Sequence, residues 1–498
     1  MRKSGCNLIF FKPKLLLLIC VAFCAVMLLG AVAATKVIRD RESDRIPDVQ
    51  KIARTLSIIR GSTPNDRKVL KVLFYGQSIT QSGWHEAVLA HWRQIYPNTV
   101  FVVQNRALGG FPSQALVRTT EQDIAAFYPD LIVFHVYGDH RDYEKIIRLF
   151  RSRTAADIIV QTDHGDVLPD PRCDEGFHFT LSRPPGCAGH LWYHQRMWND
   201  EMSYHKIPAL ARKYAIAVEP QRDWWRAYLL RTGTNPSDLL SDVIHPNARG
   251  KELIAEFFNQ YFDGLVSQYK GETAQDVNLL HLDEQGRVSD NAIVRFEGTR
   301  LEVVSDRPLT AWPAITVDGQ SPENLDGCYQ VSRASSVVTV PDWPALRRII
   351  LMHDHVAENW TAILFDFSPD QKEFTFAVQG SQTGPQGTGR SQETFVSNSH
   401  NLEIEPDDWM VERAWQHSKV ALHSPFQVNW SVDYVCGGKP EVIDRGKGIT
   451  EFRYVLATGL SDTWHSISLK DSAEDLGKID HLTAYKPRIH SAELVGGW

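Results

Sequence analysis

A serine stands just past the end of an apolar run in "VLKVLFYGQSIT", residues 69–80, where Gly76 marks the point at which a strand would stop. Serine-dependent acyl transfer needs three further things: a base to take the hydroxyl proton, an acid to orient that base, and N–H donors for the oxyanion. A second element, "SDVIHPNARG" at residues 241–250, carries Asp242 and His245 three positions apart, just ahead of a helical pattern that begins near Gly250. In a loop, that spacing lets a carboxylate orient the neighbouring imidazole. Read singly, a serine in a turn and a D-x-x-H loop are common features. Together they supply the nucleophile, base and acid of a Ser-His-Asp set.

The elements between them must bring the two together. From about residue 69 to 269, apolar runs ("VLKVLFYG", "TVFVVQNRAL", "PDLIVFHVYG", "ADIIVQTDHGD", "AIAVEP") alternate with amphipathic stretches ("WHEAVLAHWRQIY", "SQALVRTTEQDIAAFY", "YEKIIRLFRSRT", "EMSYHKIPALARKY", "GKELIAEFFNQYFDGL"). Strand and helix in alternation predict an α/β unit with a parallel sheet covered on both faces. Such sheets bind ligands beyond the carboxyl ends of their strands, so the segments after Tyr75, Gln104, Tyr137 and Gln161 are expected to face one site. From about residue 277 to 498 the runs become short and β-branched or aromatic, as in "TRLEVVSD", "WTAILFDF" and "EFTFAVQGS", which predicts an all-β sandwich region. The Gly-rich segment 380–392 reads as a flexible loop, and residues 36–68 as a stalk or lead-in helix.

Four blocks, "GQSIT", "NRALGGFPS", "VFHVYGDH" and "SDVIHPNARG", resemble in order those of the SGNH (GDSL-type) hydrolases, over residues 69–269 or so. The resemblance implies a flavodoxin-like α/β sandwich in which Ser78 is the nucleophile and Asp242 and His245 complete the triad. It assigns an oxyanion amide to Gly110, three residues before Ser113, with the Ser78 N–H as another donor. It implies no metal and no cofactor. Two positions depart from the family pattern. Gln77 replaces the aspartate of G-D-S, and a neutral amide is expected to keep the hydrogen bonding across the turn. The third block reads "GDHRD" where G-x-N-D is usual, so either Asp139 by strand length or His140 by glycine spacing takes the asparagine's place. An oxyanion needs a donor, which imidazole can be and an ionised carboxylate cannot, and this favours His140. Asn105 is expected to hold the nucleophile turn. Trp84 and His85 are expected to pack at a helix start or to shape an acyl pocket, Asp163 and His164 to line the pocket or lie in a polar loop, and Trp192, Trp198, Trp224 and Trp225 to be core or a sugar platform.

The chain of 498 residues is too long for one core, and its net charge of −7 without a basic cluster excludes a nucleic-acid partner. "LLLLICVAFCAVMLLGAVAA", residues 15–34, follows Arg2, Lys3, Lys12 and Lys14 and is uncharged. It is long enough to span a bilayer, so residues 1–35 read as a signal anchor or a cleaved signal peptide, with the globular part outside the cytoplasm, membrane-anchored or secreted. Cys173 with Cys187, and Cys328 with Cys436, are candidate disulfides of such a compartment, and Asn359 and Asn429 begin glycosylation sequons. The reading is a serine esterase that removes O-acyl groups, O-acetyl in particular, from a carbohydrate. A lipid or aryl-ester hydrolase of the same mechanism is one alternative, and a carbohydrate-binding protein with weakened catalysis is the other.

Overall fold

The computed structural model describes residues 46–166, 198–271, 277–280, 293–309, 312, 314–353, 355–470 and 479–488. Its first part contains, in chain order, α1 (Asp48–Lys51), α2 (Ala53–Gly61), β1 (Val69–Gly76), α3 (Ser78–Gln81), α4 (Trp84–Ile95), β2 (Val100–Asn105), α5 (Ser113–Phe127), β3 (Leu131–His135), α6 (His140–Arg153), β4 (Asp157–Gln161), α7 (Ile207–Tyr214), β5 (Ala217–Glu219), α8 (Gln221–Thr232) and α9 (Ala248–Gln268). The strands form one sheet in the order β2-β1-β3-β4-β5, with every pairing parallel. This is the flavodoxin-like order, whose switch point lies between β1 and β3.

Strand β1 is buried at all eight positions, and its alternation feeds two separate cores. Leu73 and Tyr75 join the cluster built from α5 and α6, whereas Leu70, Val72 and Phe74 join the one built from α4 and α9. Period-two side chains on a strand covered from both sides require this division.

Of the two readings of residues 36–68, a stalk or a lead-in helix, residues 48–61 take the second, as α1 and α2. Val49, Ile52, Ala53, Leu56 and Ile59 recur at helical spacing and are buried in the second cluster, and the Arg54 guanidinium binds Asp130 and the Ala155 carbonyl. Lys51, Arg54 and Thr55 between these apolar positions are buried as well, and Thr55 N donates to Asp157 at 2.7 Å, so the helix is covered on more than its apolar stripe. The hydrophobic segment 15–34 and the pair Cys173 and Cys187 lie outside the described residues. Among the described residues no helix is long and apolar enough to cross a membrane.

The β region consists of two units, one inserted in the other. Strands at 441–446, 449–458, 300–305, 479–485 and 277–280 form a five-stranded sheet, joined by a three-stranded sheet at 293–297, 464–470 and 314–317. Between residues 317 and 441 the chain builds another five-stranded antiparallel sheet, from 329–331, 426–434, 359–365, 375–380 and 384–390. Gly384–Arg390, read from sequence as a loop, is an edge strand of this sheet paired with Thr375–Gly380. Pairing on the exposed edge supplied order that glycine and threonine content had argued against. The disulfide Cys328–Cys436 closes the neck of the insertion, beside the pairing of Tyr329 with Tyr434.

The inserted sheet shares its core with the α/β unit: Leu116, Ile124 and Phe127 lie in the same apolar cluster as Ala334, Trp343 and Trp360. Helix α5 carries the polar side of this junction. Arg118 pairs with Asp408 at 2.5 Å, and Asp123 receives two bonds of 2.7 Å from Arg333.

Candidate active site

The site is assembled where β1 and β3 end. Gly76 has φ +157°, and a Cβ there would lie 2.0 Å from the His135 carbonyl oxygen, so only glycine lets the two strand ends approach this closely. The chain then turns into α3, which begins at Ser78. Asn105, at the end of β2, donates to the Thr80 carbonyl at 2.8 Å and accepts from Ala107 N at 3.0 Å, holding the turn as expected from sequence. Trp84 is buried in edge contact with Phe74, and His85 lies beside Asn105 at 3.2 Å.

The loop before α9 carries the other two residues to Ser78. His245 Nε2 lies 2.8 Å from Ser78 Oγ, and His245 Nδ1 lies 2.7 Å from Asp242 Oδ2. Asp242 Oδ1 also accepts from the backbone N–H groups of Ile244 and His245, each at 2.7 Å. Partial burial pushes the Asp242 carboxyl up, but those amides and the imidazole outweigh it and hold it at about 2. The carboxylate is therefore charged at any ordinary pH. It fixes the proton on Nδ1, which leaves the Nε2 lone pair facing the serine hydroxyl. The loop is closed by Ser241 N donating to the His245 carbonyl at 2.8 Å, and Asn247 caps α9 by accepting from Gly250 N at 3.1 Å.

Gln77 is buried and spans the other two blocks: with the amide assigned in the orientation its neighbours demand, it donates to the Phe111 carbonyl at 3.1 Å and accepts from Tyr137 N at 3.3 Å. A carboxylate could make only the second bond. Ser113 N donates to the Tyr137 carbonyl and Ser113 Oγ to the Asp139 carbonyl, both at 2.7 Å. The loops after β1, β2 and β3 are thus tied to one another around the serine.

Gly110 has φ +75°, and its N–H is taken up by none of the described residues. Asp139 is the N-cap of α6, its Oδ1 accepting from Arg141 N at 2.8 Å and Asp142 N at 3.2 Å. That carboxylate is committed to its own helix. His140 is the first residue of α6, its ring centroid 5.5 Å from that of Trp198, and its buried Nε2 has no partner among the described residues. Burial lowers its pKa, helped by Lys206 and opposed by Glu201 and Asp139. Trp198 also packs on Tyr137 and donates its indole N–H to the Gly138 carbonyl at 2.9 Å. Trp224 packs against Phe257 and Tyr261, Trp225 is fully buried, and Trp192 lies outside the described residues.

Asp163 and His164 are buried. His164 Nε2 lies 2.8 Å from the carbonyl of Ile244, inside the Asp242–His245 loop. Asp163 accepts from Tyr137 Oη at 2.6 Å and lies 3.3 Å from both His135 and His164. Burial pushes its carboxyl up, and the two imidazoles overcome this to hold it well below the usual range. Sequence reasoning missed Gln81, whose Oε1 accepts from Gly109 N at 2.9 Å. Its position three residues after Ser78 on the same short helix was the available signal. It also missed Trp343, whose indole N–H reaches the Gly109 carbonyl at 2.6 Å from 234 residues away. No local pattern announces that contact. No group of residues able to hold a metal ion occurs among the described residues.

No protein-family model and no curated protein matches the chain. Solved structures similar to it include LAE5, an alpha/beta hydrolase enzyme from the metagenome of Lake Arreo, Spain, at 17% identity and a TM-score of 0.30, covering 39% of this chain and 96% of that one. Axe2, an acetylxylan esterase from Geobacillus stearothermophilus, is 16% identical with a TM-score of 0.31, covering 41% of this chain and 97% of that one. A two-domain esterase active on acetylated mannans, CEX, is 12% identical with a TM-score of 0.33, covering 88% of this chain and 95% of that one.

Proposed function

We propose that the chain is a serine esterase that hydrolyses O-acyl esters, acetyl esters carried on a carbohydrate in particular, outside the cytoplasm. The observation that carries the reading is the unbroken hydrogen-bond chain Ser78 Oγ, His245 and Asp242, at 2.8 and 2.7 Å. In this reading Ser78 Oγ attacks the ester carbonyl while His245 Nε2 takes its proton. Asp242 keeps the imidazole in the required tautomer and stabilises the imidazolium. The tetrahedral oxyanion is held by the N–H groups of Gly110 and Ser78, with His140 as a third donor. His245 then returns the proton to the leaving alkoxide. Water, activated by the same imidazole, releases the acid from Ser78.

The Cys328–Cys436 disulfide supports an oxidising compartment. Aromatic side chains close to the site, Tyr137 and Trp198, support a sugar-bearing substrate through their apolar ring surfaces, their polar ends being bonded to Asp163 and the Gly138 carbonyl. The test compares wild type with Ser78→Ala on p-nitrophenyl acetate and octanoate, and on acetylated polysaccharides by acetate release. Turnover of the acetate that disappears in Ser78→Ala is expected. Equal background rates in both proteins would defeat the esterase reading, and a preference for octanoate would defeat the acetyl assignment.

A further inference from the structure

The peptide that offers the Gly110 N–H is the one whose carbonyl belongs to Gly109. In a trans peptide the two groups point to opposite sides, so whatever fixes the carbonyl aims the N–H. Here the carbonyl is fixed from outside the α/β unit: Trp343 Nε1 of the inserted β unit donates to Gly109 O at 2.6 Å. The Gly109 N–H is engaged by Gln81 at 2.9 Å, which leaves the Gly110 N–H as the open donor of the pair. The loop lies against the nucleophile, since a Cβ on Gly109 would stand 3.8 Å from that of Ser78. With glycine on both sides, this peptide can flip at little steric cost, and its own sequence does not hold it.

The indole is held firmly. Trp343 is 6% exposed and packs edge-on against Phe111 with centroids 5.5 Å apart, while His417 of the same inserted unit lies across its ring at 5.2 Å. A Cβ on Gly110 would lie 2.8 Å from Trp343 Cζ2, so the loop and the ring are in mutual contact.

We propose that Trp343 is a positioning residue for catalysis: its N–H holds the Gly109–Gly110 peptide with the Gly110 N–H turned toward the oxyanion. The inserted β unit is then a working part of the active site and not only an appended binding module. This inference rests on the serine-esterase reading, and a wild-type protein that turns over no ester defeats that reading rather than this one.

The experiment uses the full chain with Trp343→Phe, and with benzothienylalanine at position 343, which keeps the bicyclic ring and replaces N–H by sulfur. That isostere preserves packing if the phenylalanine variant fails to fold. The expected result is a kcat for p-nitrophenyl acetate lowered about 10- to 100-fold, part of the loss typical of a missing oxyanion donor. KM stays unchanged, and affinity for a boronic acid, which forms a tetrahedral adduct on Ser78, falls in parallel. A kcat within twofold of wild type in the isostere overturns the proposal. So does a raised KM at unchanged kcat, which would make Trp343 a substrate contact.

Discussion

At the scale of single residues, Gln77 stands where the SGNH pattern that the sequence resembles has aspartate, and its surroundings suit an amide. Its buried amide donates to Phe111 O and accepts from Tyr137 N, joining two loops with one side chain. Gln77→Asp, which introduces the aspartate of that pattern, should therefore be harmful. The aspartate can accept from Tyr137 N but leaves the Phe111 carbonyl without a donor and brings a charge into a buried position. A loss of about 1–3 kcal/mol in denaturant unfolding is expected, with kcat reduced as the loops loosen. Equal stability and rate in Gln77→Asp would show that the Phe111 bond is not made. The approach of Ser78, His245 and Asp242 to one another was legible in the sequence because each contact is local or fixed by a strand end. Asp242 reaches His245 within one turn, and Ser78 follows the apolar run of β1. Trp343 was not legible as a site residue, since its role depends on an indole N–H meeting a carbonyl in a loop 234 residues away.

At the scale of elements, the strands of the parallel sheet could be read because burial on both faces leaves continuous apolar runs. The edge strand Gly384–Arg390 could not, because one pairing partner and an open outer side demand little of its side chains. Nor could the insertion of one β unit into another, because short β-branched runs carry no mark of which sheet they join. At the end of β5 the sequence also conceals a buried acid. Glu219 is fully buried, and burial pushes its carboxyl up to about 8 against bonds from Gln161 and the Gln221 backbone. The folded protein keeps this group neutral while the unfolded chain ionises it near 4.5. Its contribution is thus intact below pH 4.5 and is lost progressively as the pH rises from 4.5 to about 8. Glu219→Gln, neutral at every pH, should be close to wild type in stability at pH 4.5 and more stable at pH 8, by on the order of a few kcal/mol. Denaturant titrations of both proteins at the two pH values measure this. A stability gap that does not change with pH would rule it out.

At the scale of the whole molecule, the neck of the insertion and its footing on α5 decide whether the chain behaves as one body. The disulfide Cys328–Cys436 spans 108 residues of sequence. Closing a loop of that length removes chain entropy worth about 4–5 kcal/mol from the unfolded state, so a Cys328→Ser, Cys436→Ser double variant should unfold at clearly lower denaturant. An unchanged midpoint in the double variant would mean that the neck is held by pairing alone. The footing is more consequential for catalysis. Asp123 is fully buried on α5, accepting from Tyr75 Oη at 3.0 Å, Arg106 at 3.2 Å and, at both oxygens, Arg333 of the inserted unit. Asp123→Ala would strand the Arg333 guanidinium against the α/β unit, and breaking a buried pair from one side costs about 3–5 kcal/mol. The same lesion should reach the chemistry, because Arg333 also donates to the Arg106 carbonyl, just ahead of the Gly109–Gly110 peptide, and lies ten residues from Trp343. Asp123→Ala combined with Arg333→Leu removes both charges of that pair and lets the apolar junction close, while Arg106, which loses its bond to Asp123, keeps the one to Gln104 at 2.7 Å. If the junction orients Trp343, the double variant should recover stability and kcat together. Recovered stability with kcat still low would mean that the ion pair itself, and not the docking of the inserted sheet, tunes the site.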